Sequence, residues 1–211
     1  MIVIVDLLTQ LASVVKRSLC NHHLVVNAIT TQRENHSRVV LLWWSPPPAG
    51  WVRLNTNGSC RDGGHIGCGG IIRGINGEWL GGFSKYIGIG SAYLAELWGV
   101  LEGLMYVRRL QFRFIELHVD SLVVVKAITS HGHGSWRGRS LVDKIHHLLA
   151  LDWDVVVHHS YRETNQCADV LANYGCSMDS RICFFDVCPS NISLLLLSDL
   201  MGNSTPRVIS L

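Results

Sequence analysis

Five positions of this 211-residue chain carry side chains whose types and order could perform phosphoryl-transfer chemistry: Asn57, Glu96, Asp120, His159 and Asp169. Three carboxylates offer anionic oxygens, the ligands that Mg2+ or Mn2+ take. Two such ions about 3.5–4 Å apart stabilise both the attacking and the leaving oxygen of an in-line displacement at phosphorus. A histidine, which ordinarily titrates near neutrality, can carry protons to and from the reaction. Asn57 is the exception. It opens the series where a fourth carboxylate would complete the set, and its amide offers one neutral oxygen and an NH2 that repels cations.

The elements that must position these residues are legible from periodicity. Residues 52–56 alternate as a half-buried strand, which Asn57-Gly58 is expected to end in a turn. Residues 66–73 form a second strand whose glycines imply close backbone approach. After a turn at Ile75-Asn76-Gly77, residues 78–86 form a third strand. Ser91 is a suitable N-cap for a long helix to about Arg109, with Leu94, Leu97, Leu101, Leu104 and Met105 at helical spacing. Glu96 falls in its first turn. Gly99 and Gly103 each cost roughly 1 kcal/mol relative to alanine in a helix, and read as flat spots lying close on a sheet. A strand over 114–119, helices over 121–129 and 140–149, a strand over 153–159 and a helix over 164–174 closed by Gly175 complete the order β-β-β-α-β-α-α-β-α. This is an α/β fold, a mixed five-stranded sheet with helices on its faces. If the strands that precede Asn57 and Asp120 are parallel neighbours, their C-terminal ends converge, as sites of such sheets usually require.

The flanks are less informative. Residues 1–49 read as an apolar N-terminal helix wanting a partner, then a polar and proline-rich linker ending in Ser45-Pro46-Pro47-Pro48. The folded domain is expected over 50–178 and a tail over 179–211. The first apolar run stops at Lys16-Arg17, short of a bilayer span, and lacks a basic leader. No membrane association is expected. Seven cysteines without a C-x-x-C pair argue against a zinc module and a disulfide framework, and for an intracellular compartment, nuclear or cytoplasmic. A net charge of +2 neither announces nor forbids a nucleic-acid partner.

Four ordered segments sharpen this reading: WSPPPAGWVRLNTNGSC, AYLAELWGVLEGL, LHVDS and HSYRETNQCADVLANYG. Together they resemble the type 1 ribonuclease H family, and most closely the ribonuclease H-like domain of plant retroelement-derived reverse transcriptases. The tail FFDVCPSNISLLLLSDLMG resembles the same plant group. The resemblance implies a ribonuclease H-like fold and a metal-dependent endonuclease that cuts RNA in RNA–DNA hybrids. Glu96, Asp120, His159 and Asp169 would be its catalytic residues. Asn57 would stand at the family's metal-bridging aspartate, beside Glu96, Asp120 and Asp169 as the Mg2+ (or Mn2+) ligands.

The amides of a Gly58-Ser59-Cys60 turn would touch the 2′-hydroxyls that distinguish RNA from DNA. Leu122 stands where relatives often present a polar group. Arg108, Arg109, Arg113, Lys126, Arg137, Arg139 and Lys144 either track phosphates or are scattered solvated charges. The partner implied is an RNA–DNA hybrid, the chain is expected to be a monomer, and a reverse-transcriptase-like region could precede it. Two readings follow: a nuclease impaired by Asn57, or a catalytically inactive module for nucleic acid or protein contacts.

Overall fold

The computed structural model describes residues 37–130, 138–179 and 182–210. The expected N-terminal helix and the glycine-rich segment at 131–136 lie outside these residues.

Three consecutive strands, β2 (Val52–Cys60), β3 (His65–Arg73) and β4 (Trp79–Ile89), form an antiparallel meander. β5 (Phe114–Val119) lies parallel beside β2, and β6 (Asp154–His159) parallel beside β5. The expected mixed sheet is present, with a sixth strand added. This is β7 (Ile182–Phe185), from the segment read as a tail, which pairs antiparallel with the open edge of β4. The order across the sheet is β6-β5-β2-β3-β4-β7. A separate two-stranded ribbon joins β1 (Ser37–Leu42) to β8 (Thr205–Ser210). The first and last described segments are thus paired, although the sequence reads one as a linker and the other as a tail.

Among the described residues, five α-helices accompany the sheet: α1 (Ala92–Arg109), α2 (Leu122–Thr129), α3 (Arg139–Leu149), α4 (Gln166–Gly175) and α5 (Ser190–Leu200). Ser91 caps α1 as expected, its hydroxyl accepting the Leu94 N–H at 3.4 Å. Alternation along β2 divides the packing. Leu54 and Thr56 meet α1, while Asn55 and Asn57 point to the α4 side, where Asn165 and Asp169 receive them. The larger core lies on the α1 side, around Leu54, Leu97, Leu104, Leu117 and Ile145. A smaller one on the other side joins Ile71, Cys167, Leu171 and Ile192.

Local expectations change where backbones come close. β2 does not end at Asn57-Gly58. It runs on to Cys60, with Asn57 opposite Gly69 and Gly58 opposite Cys68. Gly58 is required because a Cβ there would collide with the α1 backbone at Ala95 and Glu96. Gly175 is likewise inside α4 rather than beyond its end, and a Cβ on it would meet the carbonyls of Lys85 and Cys68. Gly99 is a flat spot: a Cβ would sit 2.9 Å from the Asn57 carbonyl oxygen. Replacing Gly99 by valine is therefore expected to cost about 1–3 kcal/mol by overpacking. A urea denaturation midpoint equal to that of the parent would refute this.

On the α4 side, Arg73 is 1% exposed, and its guanidinium lies 3.9 Å from the ring centre of Trp44. It donates to Asp199 Oδ2 at 2.6 Å and to Asn55 Oδ1 at 3.1 Å. A buried cation needs such partners. They come from the segment before β2, from β2 itself and from α5.

Candidate active site

Parallel register sets the site. Thr56 pairs with Val119 and Val119 with His159, so Asn57, Asp120 and Ser160 lie one after another just beyond the parallel pairing of β2, β5 and β6. Glu96 approaches from the α1 side. It is the fifth residue of α1, just past the first turn. Asp169 approaches from the opposite side on α4. The long-range pairing therefore brings together four of the five residues singled out in sequence, and His159 borders them.

Within this arrangement the side chains form two pairs. Asn57 is fully buried; its Nδ2 donates to Asp169 Oδ1 at 2.9 Å, and its Oδ1 accepts the Gly58 N–H at 2.9 Å. Asp169 Oδ2 accepts from Asn173 Nδ2 at 3.0 Å, and Asn173 Oδ1 accepts from the Ser59 hydroxyl at 2.7 Å. Gly58-Ser59-Cys60 is strand rather than turn, with the Gly58 amide already engaged.

The second pair is Glu96 and Asp120. Glu96 Oε2 is buried and receives no hydrogen bond from a nitrogen or hydroxyl donor. Burial, followed by the charge of Asp120, pushes the Glu96 carboxyl up to about 9, with the Gly58 amide opposing the rise. Burial raises Asp120 too, against the pull of Arg162, whose Nε lies 3.9 Å from Asp120 Oδ2. Burial and the neighbouring Asp120 charge thus favour the protonated form of Glu96 when no cation is bound.

These residues fit one divalent cation better than two. Glu96 and Asp120 offer adjoining carboxyls and an oxygen without a donor. Asp169 is taken up by the amides of Asn57 and Asn173. Among the described residues no three His, Cys, Asp or Glu side chains gather closely enough to hold a metal ion. The four-residue ligand set expected from the resemblance is therefore split.

His159 is exposed, with Nε2 3.2 Å from the Asp120 carbonyl oxygen and its ring edge-on to Tyr161. His158 points elsewhere and stacks on His118 at 4.9 Å. An open pocket of about 450 Å3 is lined by Glu96, Asp120, His159, Tyr161, Arg162 and Arg207, among others. Sequence reasoning missed Tyr161 and Arg162, although they lie within three residues of His159. It also missed Asn173, one turn beyond Asp169, and had no signal for Arg207.

The cation-free site makes stability depend on pH. The folded chain keeps the Glu96 proton up to about pH 9, whereas the unfolded chain releases it near 4.5, so stability falls as pH rises between them. His118, which burial holds down to about 3, acts in the opposite sense below 6.5. With chelator present, the melting temperature is therefore expected to drop from pH 6.5 to 9, and Glu96→Gln to flatten the drop. Parallel profiles for the two proteins would contradict this.

The strand order, the helices on both faces and a carboxylate site at the strand ends define the ribonuclease H fold. Comparison with known proteins agrees. The type 1 ribonuclease H of Halobacterium salinarum superposes with a TM-score of 0.57 at 26% identity, over 60% of this chain and 98% of its own. A compost-derived type 1 ribonuclease H, solved with an RNA/DNA hybrid, superposes with a TM-score of 0.54 at 23% identity, over 60% and 96% of the two chains. A family model described as reverse transcriptase-like matches residues 55–175. A protein of Arabidopsis thaliana, provisionally named a ribonuclease H protein, is 40% identical over 172 residues. That match covers 81% of this chain and 28% of the Arabidopsis protein. The chain belongs to the reverse transcriptase-like family, a ribonuclease H-type group.

Proposed function

We propose that this chain is a nucleic-acid-binding ribonuclease H-type domain that grips RNA–DNA hybrids and whose RNA-cleaving chemistry is strongly weakened by Asn57. The observation that carries this reading is the Asn57–Asp169 hydrogen bond. Where a cation would otherwise hold two facing carboxylates, a neutral amide donates a proton to one of them. An Asn Nδ2 bonded in this way cannot also accept a cation.

The remaining parts of a nuclease are present. Glu96 and Asp120 would hold one Mg2+ or Mn2+, which when bound supplies a Lewis acid for the phosphoryl group and an activated water. His159 sits exposed at the rim, where it can move a proton. Arg162, whose side chain is 76% exposed, can meet a backbone phosphate. The ordering of RNA–DNA hybrid over duplex DNA would come from contacts to 2′-hydroxyls near Ser59 and Asn173. These side chains bond each other at the site's edge.

The test is competition binding by fluorescence anisotropy in Mg2+, with a labelled hybrid and unlabelled hybrid, duplex DNA or duplex RNA as competitors. Preferential displacement by hybrid, with an affinity that falls steeply with salt, is expected. Equal displacement by all three, or no binding, would contradict the reading. No helix among the described residues is long and apolar enough to cross a membrane.

A further inference from the structure

The ribbon of β1 and β8 has no part in the chemistry described so far, yet it delivers one cationic side chain to the site. Arg207, on β8 opposite Val40, lines the same pocket as Glu96, Asp120 and His159. Two contacts orient it. Its Nη1 donates to both carboxylate oxygens of Glu163 at 2.9 Å, and its guanidinium lies 4.8 Å from the ring centre of Tyr161. Both anchors come from the segment that links His159 to α4. Glu163 engages Nη1 alone, so among the described residues the Nε and Nη2 side of the fork is left for a second acceptor. The side chain is 40% exposed, enough for a ligand to reach it.

A guanidinium held on one edge by a carboxylate and on its face by a tyrosine is pre-organised for a planar two-oxygen contact, the geometry of arginine with phosphate. We propose that Arg207 is a phosphate-binding residue of the site: the C-terminal ribbon, through this side chain, grips a backbone phosphate of the nucleic acid next to the Glu96–Asp120 pair. This inference rests on the proposed hybrid binding. It assigns to the ribbon a role in substrate recognition that the sheet and helices do not supply. Arg162, which lines the same pocket, would share the same stretch of backbone.

Arg207→Gln removes the charge and the guanidinium fork while leaving a polar, uncharged side chain. Its hybrid affinity is expected to fall about tenfold at low salt. The slope of log affinity against log salt should become shallower by about one, the loss of one phosphate contact. Arg207→Lys should keep the parent slope. Arg38→Ala removes an equal charge from the same face of the ribbon, two residues from the Val40 that pairs with Arg207 but outside the pocket lining, and should lower affinity and slope less than Arg207→Gln does.

A mutation-free measurement guards against loss of the ribbon. In the parent, bound hybrid should protect Arg207 from phenylglyoxal, read by peptide mass. Unchanged affinity and slope in Arg207→Gln, an equal loss in Arg38→Ala, or unprotected Arg207 in the bound parent would each overturn the assignment while leaving hybrid binding intact. A parent that does not bind hybrid at all would remove the proposed function, and this inference with it.

Discussion

Asn57→Asp is expected to raise the rate at which this chain cuts RNA in an RNA–DNA hybrid by at least about 10²–10³-fold in Mg2+ or Mn2+. Loss of one preorganised electrostatic contact costs roughly that much in other active sites, and a ligand shared between cations should cost no less. The geometry gives the reason in this chain. Asn57 Nδ2 lies 2.9 Å from Asp169 Oδ1, so an aspartate would place two carboxylate oxygens face to face. In the absence of a cation, one of them must take up a proton or the pair must separate. With a cation present, the same two facing carboxylates would serve as ligands, beside the pair formed by Glu96 and Asp120. Single-turnover cleavage of an end-labelled hybrid measures the gain. The parent preparation needs an intact-mass check, because an Asn-Gly pair such as Asn57-Gly58 is prone to deamidation that would create aspartate. A variant no faster than the parent would mean that decay of the site extends beyond Asn57.

The second large effect lies far from the chemistry. Asp199→Ala is expected to destabilise the chain by about 3–5 kcal/mol, the usual cost of leaving a buried charge without its partner. Arg73 is 1% exposed and bonded to Asp199 at 2.6 Å; in the variant it keeps only Asn55 and the face of Trp44. Such a loss is a large share of the total stability of an ordinary domain. Urea denaturation followed by circular dichroism would measure it. Replacing Arg73 and Asp199 together with apolar residues of similar volume should recover much of the loss, since the pair itself is near neutral against a packed alternative. A single-variant cost below about 1 kcal/mol would show that Arg73 finds other partners. For the same reason a chain ended at residue 178 should lack a cooperative transition: it loses β7, Asp199 and the partner strand of β1.

The sequence made the centre of the fold readable because its signals are local. Alternation marks β2, glycines and a closing turn mark β3, Ser91 marks the start of α1, and leucines at helical spacing mark its buried face. The ordered acids were also legible, since Asp120 follows the end of a periodic segment and Glu96 and Asp169 lie near the starts of helices. Three features were not legible, for physical reasons. Asn57-Gly58 has the composition of a turn, yet strand pairing with Gly69 and Cys68 outweighs that preference, and the glycine serves the approach of α1. β7 is only four residues long, and its place is set by the open edge of β4 rather than by its own pattern. Arg207 reaches the site through the pairing of β8 with β1, a contact between segments more than 150 residues apart in the chain, and local periodicity carries no trace of it.

The division of the acids into two pairs was likewise hidden, although Asn57 stood out at once by its residue type. An amide at that position weakens a cation site, but only the structure shows that its NH2 is bonded to Asp169 and that Asp169 is held on its other oxygen by Asn173.

The central claim is that an amide hydrogen bond occupies the place of a cation between residues 57 and 169. The most direct test melts the parent and Asn57→Asp side by side at pH 7, with Mg2+ and with chelator. The parent, left with only the Glu96–Asp120 pair as a cation site, should lose less on chelation than the variant does. Asn57→Asp should melt lower than the parent in chelator and recover when Mg2+ is added. A parent that loses as much as the variant on chelation, or a variant indifferent to Mg2+, would contradict the claim.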